Sequence, residues 1–80
     1  MQRDSALQES FGGILRQLRR EKGLSQETLA LEAGLDRTYI SMLERGIRQP
    51  SLSSLFAIAS ALRVRPSRIV KLTENAIKAA

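Results

Sequence analysis

Residues 24–51, LSQETLALEAGLDRTYISMLERGIRQPS, decide the fold. Ser25 is a good N-cap, because its side-chain oxygen can accept a hydrogen bond from an otherwise unpaired N–H of the first helical turn. A helix of about two turns follows, with Leu29, Ala30 and Ala33 as its inward residues. Gly34 closes it and permits the sharp change of direction that sets two helices at roughly 90 to 120°. Asp36 can cap the next helix, in which Ile40 and Leu43 face inward. Arg37, Thr38, Ser41 and Met42 must then point elsewhere. Gly46 ends this second helix, and Pro50 breaks the connection before Ser51, a further cap.

Outside this segment the apolar spacing stays helical. Leu7, Phe11, Ile14, Leu15 and Leu18 form a continuous stripe on a leading helix, whose other face carries Arg16, Arg19, Arg20 and Lys22. Its start is open between Ser5, which makes a capping box with Gln8, and Ser10, which would put Gly12 and Gly13 in the first turn. Ser5 is favoured because Leu7 belongs to the stripe. After Ser51, the residues Leu52, Leu55, Ile58, Ala59 and Leu62 share one face of a fourth helix. Pro66 suits the first position of a fifth. There Ile69, Val70, Leu72, Ala76 and Ile77 cover more of the circumference than a small core can bury, and the excess points to a partner surface. The expected fold is all-α, five helices in a single domain over residues 1–80.

Composition narrows the function. With 42% hydrophobic and 26% charged residues in 80, the chain reads as one ordinary globular domain, long enough for a small core but not for two. Thirteen Lys and Arg against eight Asp and Glu give a net charge of +5, which favours a polyanionic partner. Ten of those thirteen are arginine, whose planar fork binds a phosphate or a guanine edge through two hydrogen bonds. The absence of cysteine removes disulfides and thiolate metal sites, and the absence of histidine removes the commonest general base. With no Gly-rich phosphate loop and no metal-ligand cluster, the chain is read as a non-enzyme without cofactor or metal. Leu55 to Leu62, the longest nearly apolar stretch, is far too short to span a bilayer, and Met-Gln-Arg-Asp does not open a signal peptide. No membrane partner and a cytoplasmic location are expected, and 80 residues leave no room for a small-molecule ligand domain.

The strings Gly-Leu-Ser-Gln-Glu-x-Leu-Ala at 23–30, Gly-Leu-Asp-Arg-Thr-Tyr-Ile-Ser at 34–41 and Glu-Arg-Gly at 44–46, with Arg48, Pro50-Ser51-Leu52 and Ile58-Ala59, resemble the Cro/repressor-type (XRE) helix-turn-helix family. The resemblance covers roughly residues 10–72. It implies a lambda-repressor-like five-helix domain with the DNA-reading pair at about 25–45 and a dimerising last helix at about 66–78. The Leu-Asp-Arg-Thr-Tyr-Ile-Ser string and the short chain are most similar to the controller proteins of restriction-modification systems, small homodimeric transcription regulators. An antitoxin of a toxin-antitoxin pair or a phage-type repressor, which share the fold, are the alternatives. Both would also bind double-stranded DNA.

A recognition helix enters the major groove by its N-terminal part, so Arg37, Thr38, Ser41 and Met42 are the expected base readers. Arg37 is the best of them: a bidentate pair with guanine gives about 1–3 kcal/mol of discrimination, whereas a phosphate contact alone gives none. The resemblance places Gln26, Arg48 and Gln49 on the DNA backbone. Tyr39, whose hydroxyl reaches a phosphate unless its ring only packs inward, Arg45, which suits a phosphate and the helix dipole equally, and Ser51 and Ser53 at the next helix start, where Ser51 also serves as a plain cap, are the further backbone candidates. Arg19 and Glu44, at family positions of a partly buried ion pair, are read as structural. Phe56, Ile69, Leu72, Ala76 and Ile77 are the expected seam of a two-fold dimer. At promoter DNA such a regulator is expected either to block RNA polymerase or to contact it.

Several positions depart from the family. Thr28 stands where a glutamate often completes the capping box, and Phe56 and Leu31 fall at usually polar places, Leu31 without an assigned role. Arg63, Arg65, Arg68 and Lys71 form a basic cluster on helices that normally face away from DNA, read as solvated rather than as a contact to flanking DNA.

Overall fold

The structure is a computed structural model that describes residues 5–79, and among them it holds five α-helices and no strand: α1 (Ser5–Glu21), α2 (Gln26–Ala33), α3 (Arg37–Glu44), α4 (Leu52–Leu62) and α5 (Pro66–Ala79). Helix is present from Ser5 onward, as the stripe containing Leu7 requires. Gly12 and Gly13 therefore lie inside α1, not in a first turn.

One backbone device ends α1, α2, α3 and α4. In α2 the Gly34 N–H returns to the Leu31 carbonyl and the Leu35 N–H to that of Ala30; in α4 Arg63 and Val64 return in the same pattern to Ser60 and Ala59. Such a closure places one residue in the left-handed region and drops an apolar neighbour onto the domain. Leu24, Leu35 and Val64, each next after the left-handed residue, are partly buried against the core. At α4 the left-handed position, φ 59°, is held by Arg63, where glycine stands at the other three ends.

The core comes from all five helices. Leu15, Leu29, Ile40, Leu43, Ile58, Leu62 and Ile69 are fully buried. Two expected core or seam positions are corrected. Leu52, the first residue of α4, is exposed, so the buried face of that helix starts only at Ser54 and Leu55. Ile69 is wholly inside the monomer and is not available to a dimer seam; Val70 beside it is exposed instead.

α1 and α3 touch backbone to backbone. A Cβ built on Gly12 would collide with the Leu43 carbonyl oxygen and lie 2.6 Å from that of Glu44. Only glycine lets the helices approach so closely. This contact seats the last turn of α3 on the middle of α1, and thereby sets how the first turn of α3 projects.

Candidate nucleic-acid interface

The projecting turn of α3 is polar. Arg37 and Thr38 are exposed, and among the described residues neither side chain takes part in a hydrogen bond or ion pair. Ser41 and Met42, one turn further, are half-buried. Ser41 is not free: the Arg45 Nε donates to its Oγ at 3.3 Å and to its carbonyl at 3.4 Å. Asp36 occupies the N-cap position with an extended backbone, but its side chain makes no capping hydrogen bond. Asp36 is thus the N-cap residue expected from the sequence, without the side-chain bond of such a cap. The carboxylate stays exposed, and the helix begins on the backbone bond from the Ile40 N–H to the Asp36 carbonyl.

Tyr39 joins α3 to the loop beyond it. Its ring is partly buried against the core, its hydroxyl accepts the Ser51 N–H at 3.4 Å, and the Arg48 guanidinium lies over the ring, 5.4 Å from its centre. A cation over an aromatic face is held by the ring's quadrupole, so Arg48 is steadied while it stays exposed. Gln49 is also exposed. Ser51 caps α4 by accepting the Ser54 N–H at 3.0 Å, while Ser53 is exposed in the first turn. At the start of α2 the Ser25 hydroxyl accepts the Thr28 N–H and donates to Thr28 Oγ1, both at 3.0 Å. Thr28 thus replaces the reach-back of a longer acid with a bond between the two side chains.

Behind this face lies Glu44, whose side chain is 0% exposed. Arg19 grips it with both arms of its fork, Nε to Oε2 at 2.6 Å and Nη2 to Oε1 at 2.9 Å, and donates a further bond to the Leu24 carbonyl at 2.8 Å. Gln26 Nε2 donates to Oε1 at 3.1 Å, and Arg16 Nε approaches the same oxygen at 3.4 Å. Burial by itself would raise the Glu44 pKa. The hydrogen bonds from Arg19, Gln26 and Arg16, with the charge of Arg19, outweigh it and hold the carboxyl below its ordinary range. The bond to Glu44 in turn raises the pKa of Arg19. One carboxylate therefore ties α1, the first residue of α2 and the last residue of α3 together.

The remaining expected positions divide. Phe56 and Ile77 are exposed, while Leu72 and Ala76 are half-buried. Arg63, Arg65 and Arg68 are exposed and form no ion pair among the described residues; Lys71 pairs with Glu74 at 3.6 Å. Among the described residues no group of His, Cys, Asp or Glu could hold a metal ion and no helix is long and apolar enough to cross a membrane.

A family model described as helix-turn-helix matches residues 15–69. The chain belongs to the helix-turn-helix family. Control protein C.BamHI of Bacillus amyloliquefaciens is 47% identical over 64 residues, 79% of each chain. The restriction-modification controller protein C.AhdI from Aeromonas hydrophila is 49% identical over 76% of this chain and 92% of that one, with a TM-score of 0.75. A third relative, the controller protein C.Esp1396I, was solved as a tetramer in complex with its natural 35 base-pair operator. It is 35% identical over 92% of this chain and 97% of that one, with a TM-score of 0.82. The XRE-type fold and the kinship with restriction-modification controllers, both expected from the residues, are thus shown.

Three contributors escaped the sequence reading. Gly12 left a trace, since a glycine inside an apolar helical stripe that ends no helix signals close packing. Arg16 left none, because its place beside Glu44 depends on how α1 and α3 cross. Nor did Arg63, whose left-handed backbone stands at a helix end without a glycine to announce it.

Proposed function

We propose that this protein is a sequence-specific transcription regulator of the restriction-modification controller kind, binding a palindromic operator as a homodimer. The observation that carries the reading is the pair Arg37 and Thr38, exposed and uncommitted on a helix whose base is locked by Glu44. A reading helix needs that combination: free groups at its tip and little freedom at its root. Arg37 reads a guanine, and Thr38 offers a hydroxyl and a methyl group to the next base. Met42 adds an apolar contact, and Ser41, shared with Arg45, either reads a base or orients that arginine towards a phosphate.

Gln26, Arg48, Gln49 and the α4 start with Ser51 and Ser53 hold the backbone on either side, while Tyr39 supports Arg48. Phe56 and Ile77, with Val70 and the half-buried Leu72 and Ala76, supply the apolar surface of the dimer. Two recognition helices about 34 Å apart then meet half-sites one turn apart. The regulator acts by occupying promoter DNA, either excluding RNA polymerase or touching it. It is a cytoplasmic, non-enzymatic protein.

Selection of binding sites from random duplex DNA tests this. A palindrome with half-sites about one turn apart is expected, and Arg37→Ala should relax the preference at one position of each half-site. Recovery of no preferred sequence would overturn the reading.

A further inference from the structure

Among the described residues, the environment of Arg16 differs from that of every other basic side chain. Glu44 carries one negative charge, and Arg19 already meets both of its oxygens in short, charge-assisted geometry. Arg16 Nε touches Oε1 only at 3.4 Å, beyond the usual range for a strong N–H···O bond. The three charged groups therefore sum to a net positive charge, and Arg16 is the half-buried bearer of it, with its side chain 43% accessible. One of its five donors is directed at Glu44; the four on the terminal nitrogens make no bond among the described residues.

The same Oε1 also accepts from Gln26. Arg16 and Gln26 consequently stand side by side, one from α1 and one from the start of α2, aligned by a single buried oxygen. A strut whose only task was to neutralise Glu44 would be buried and short, as Arg19 is.

We propose that Arg16 is a DNA-phosphate contact, paired with Gln26 as a two-residue clamp that Glu44 holds in place. The proposal rests on the DNA-binding reading above. Its ligand is one phosphate of the duplex backbone, so it adds affinity without base preference. It also gives Glu44 a second role, as the residue that positions the clamp.

Binding of the selected operator duplex and of a mixed-sequence duplex, measured over a salt series, tests it. Each phosphate contact steepens the decline of log affinity with log salt by about 0.9. Arg16→Gln should flatten the slope by about that amount on both duplexes, and Arg16→Lys should keep it. An unchanged slope in folded Arg16→Gln would make Arg16 a strut and overturn the clamp. If that variant does not fold, the Arg16 Nε–H resonance of the wild-type protein decides: a shift on saturation with duplex is expected, and no shift is the contrary result. Salt-independent or absent binding by the wild-type protein would instead sink the DNA-binding reading itself.

Discussion

Adding one methyl group at Gly12 should damage the domain, while the same change at the next residue should help it. In Gly12→Ala the new carbon would sit 2.6 Å from the Glu44 carbonyl oxygen and closer still to that of Leu43. Ordinary van der Waals contact begins near 3.4 Å, so α1 and α3 must part by roughly 1 Å. Over-filling a packed site costs about 1–3 kcal/mol, and here the opposing atoms are backbone, which places the cost at the upper end. Alanine returns about 1 kcal/mol through its better helix propensity. The net loss is about 2 kcal/mol, or a fall in Tm of roughly 8–16 °C for a domain of this size.

Gly13→Ala meets nothing within 4 Å and keeps only the propensity gain. It should raise Tm by a few degrees, on the order of 0.5–1 kcal/mol. Thermal melts followed by circular dichroism compare the two directly. Equal stabilisation by both substitutions would refute the backbone contact between α1 and α3. The Gly12 variant should also lose operator affinity, because the parting falls on the root of the reading helix.

Other outcomes follow from the same structure. Glu44→Ala leaves Arg19 buried without its counter-charge, a loss of about 3–5 kcal/mol against a total of about 4–12 kcal/mol, so its Tm should collapse; a loss below about 1 kcal/mol in chemical denaturation would contradict the hub. Because folding lowers the Glu44 pKa, the stabilisation is complete above the ordinary glutamate value near 4.5 and disappears as pH falls through the folded value. Wild-type Tm should therefore hold near neutrality and drop in acid below that value, and Glu44→Gln should remove this part of the acid dependence. Arg63→Gly relieves a left-handed arginine and should stabilise by about 0.5–1 kcal/mol, read as a rise in Tm. Phe56→Asp should shift the protein towards monomer in analytical ultracentrifugation without lowering the Tm of the monomer; an unchanged dimer would remove Phe56 from the interface.

Local chemistry made most of the fold legible. The caps Ser25 and Ser51, the closing glycines and the helical spacing of Phe11, Leu15 and Leu18 in α1 and of Leu55, Ile58 and Leu62 in α4 act within a few residues, so they can be read along the chain. Arg37 and Thr38 were legible as free groups for the same reason: two inward neighbours, Ile40 and Leu43, leave them no other direction. What escaped depends on contacts between distant residues. Asp36 has the right identity and backbone for a cap, yet its side chain does not turn onto the helix. Ile69 looked like surplus because spacing cannot say which apolar residue of an over-rich helix reaches the core first. Arg16 and Gln26 are ten residues apart in sequence and share an acceptor only because both reach for Glu44 Oε1.

The separation between Glu44 and the α3 tip bears on how such a protein can diverge. The root of the reading helix is pinned from behind by Gly12, Arg19 and Glu44, while the exposed Arg37 and Thr38 make no side-chain hydrogen bond or ion pair among the described residues. Under the function proposed above, target choice is uncoupled from folding at these two positions. A pool of variants randomised at 37 and 38 should stay almost uniformly folded while scattering over many operators, and a duplicated gene could acquire a new address in a step or two without passing through an unstable intermediate.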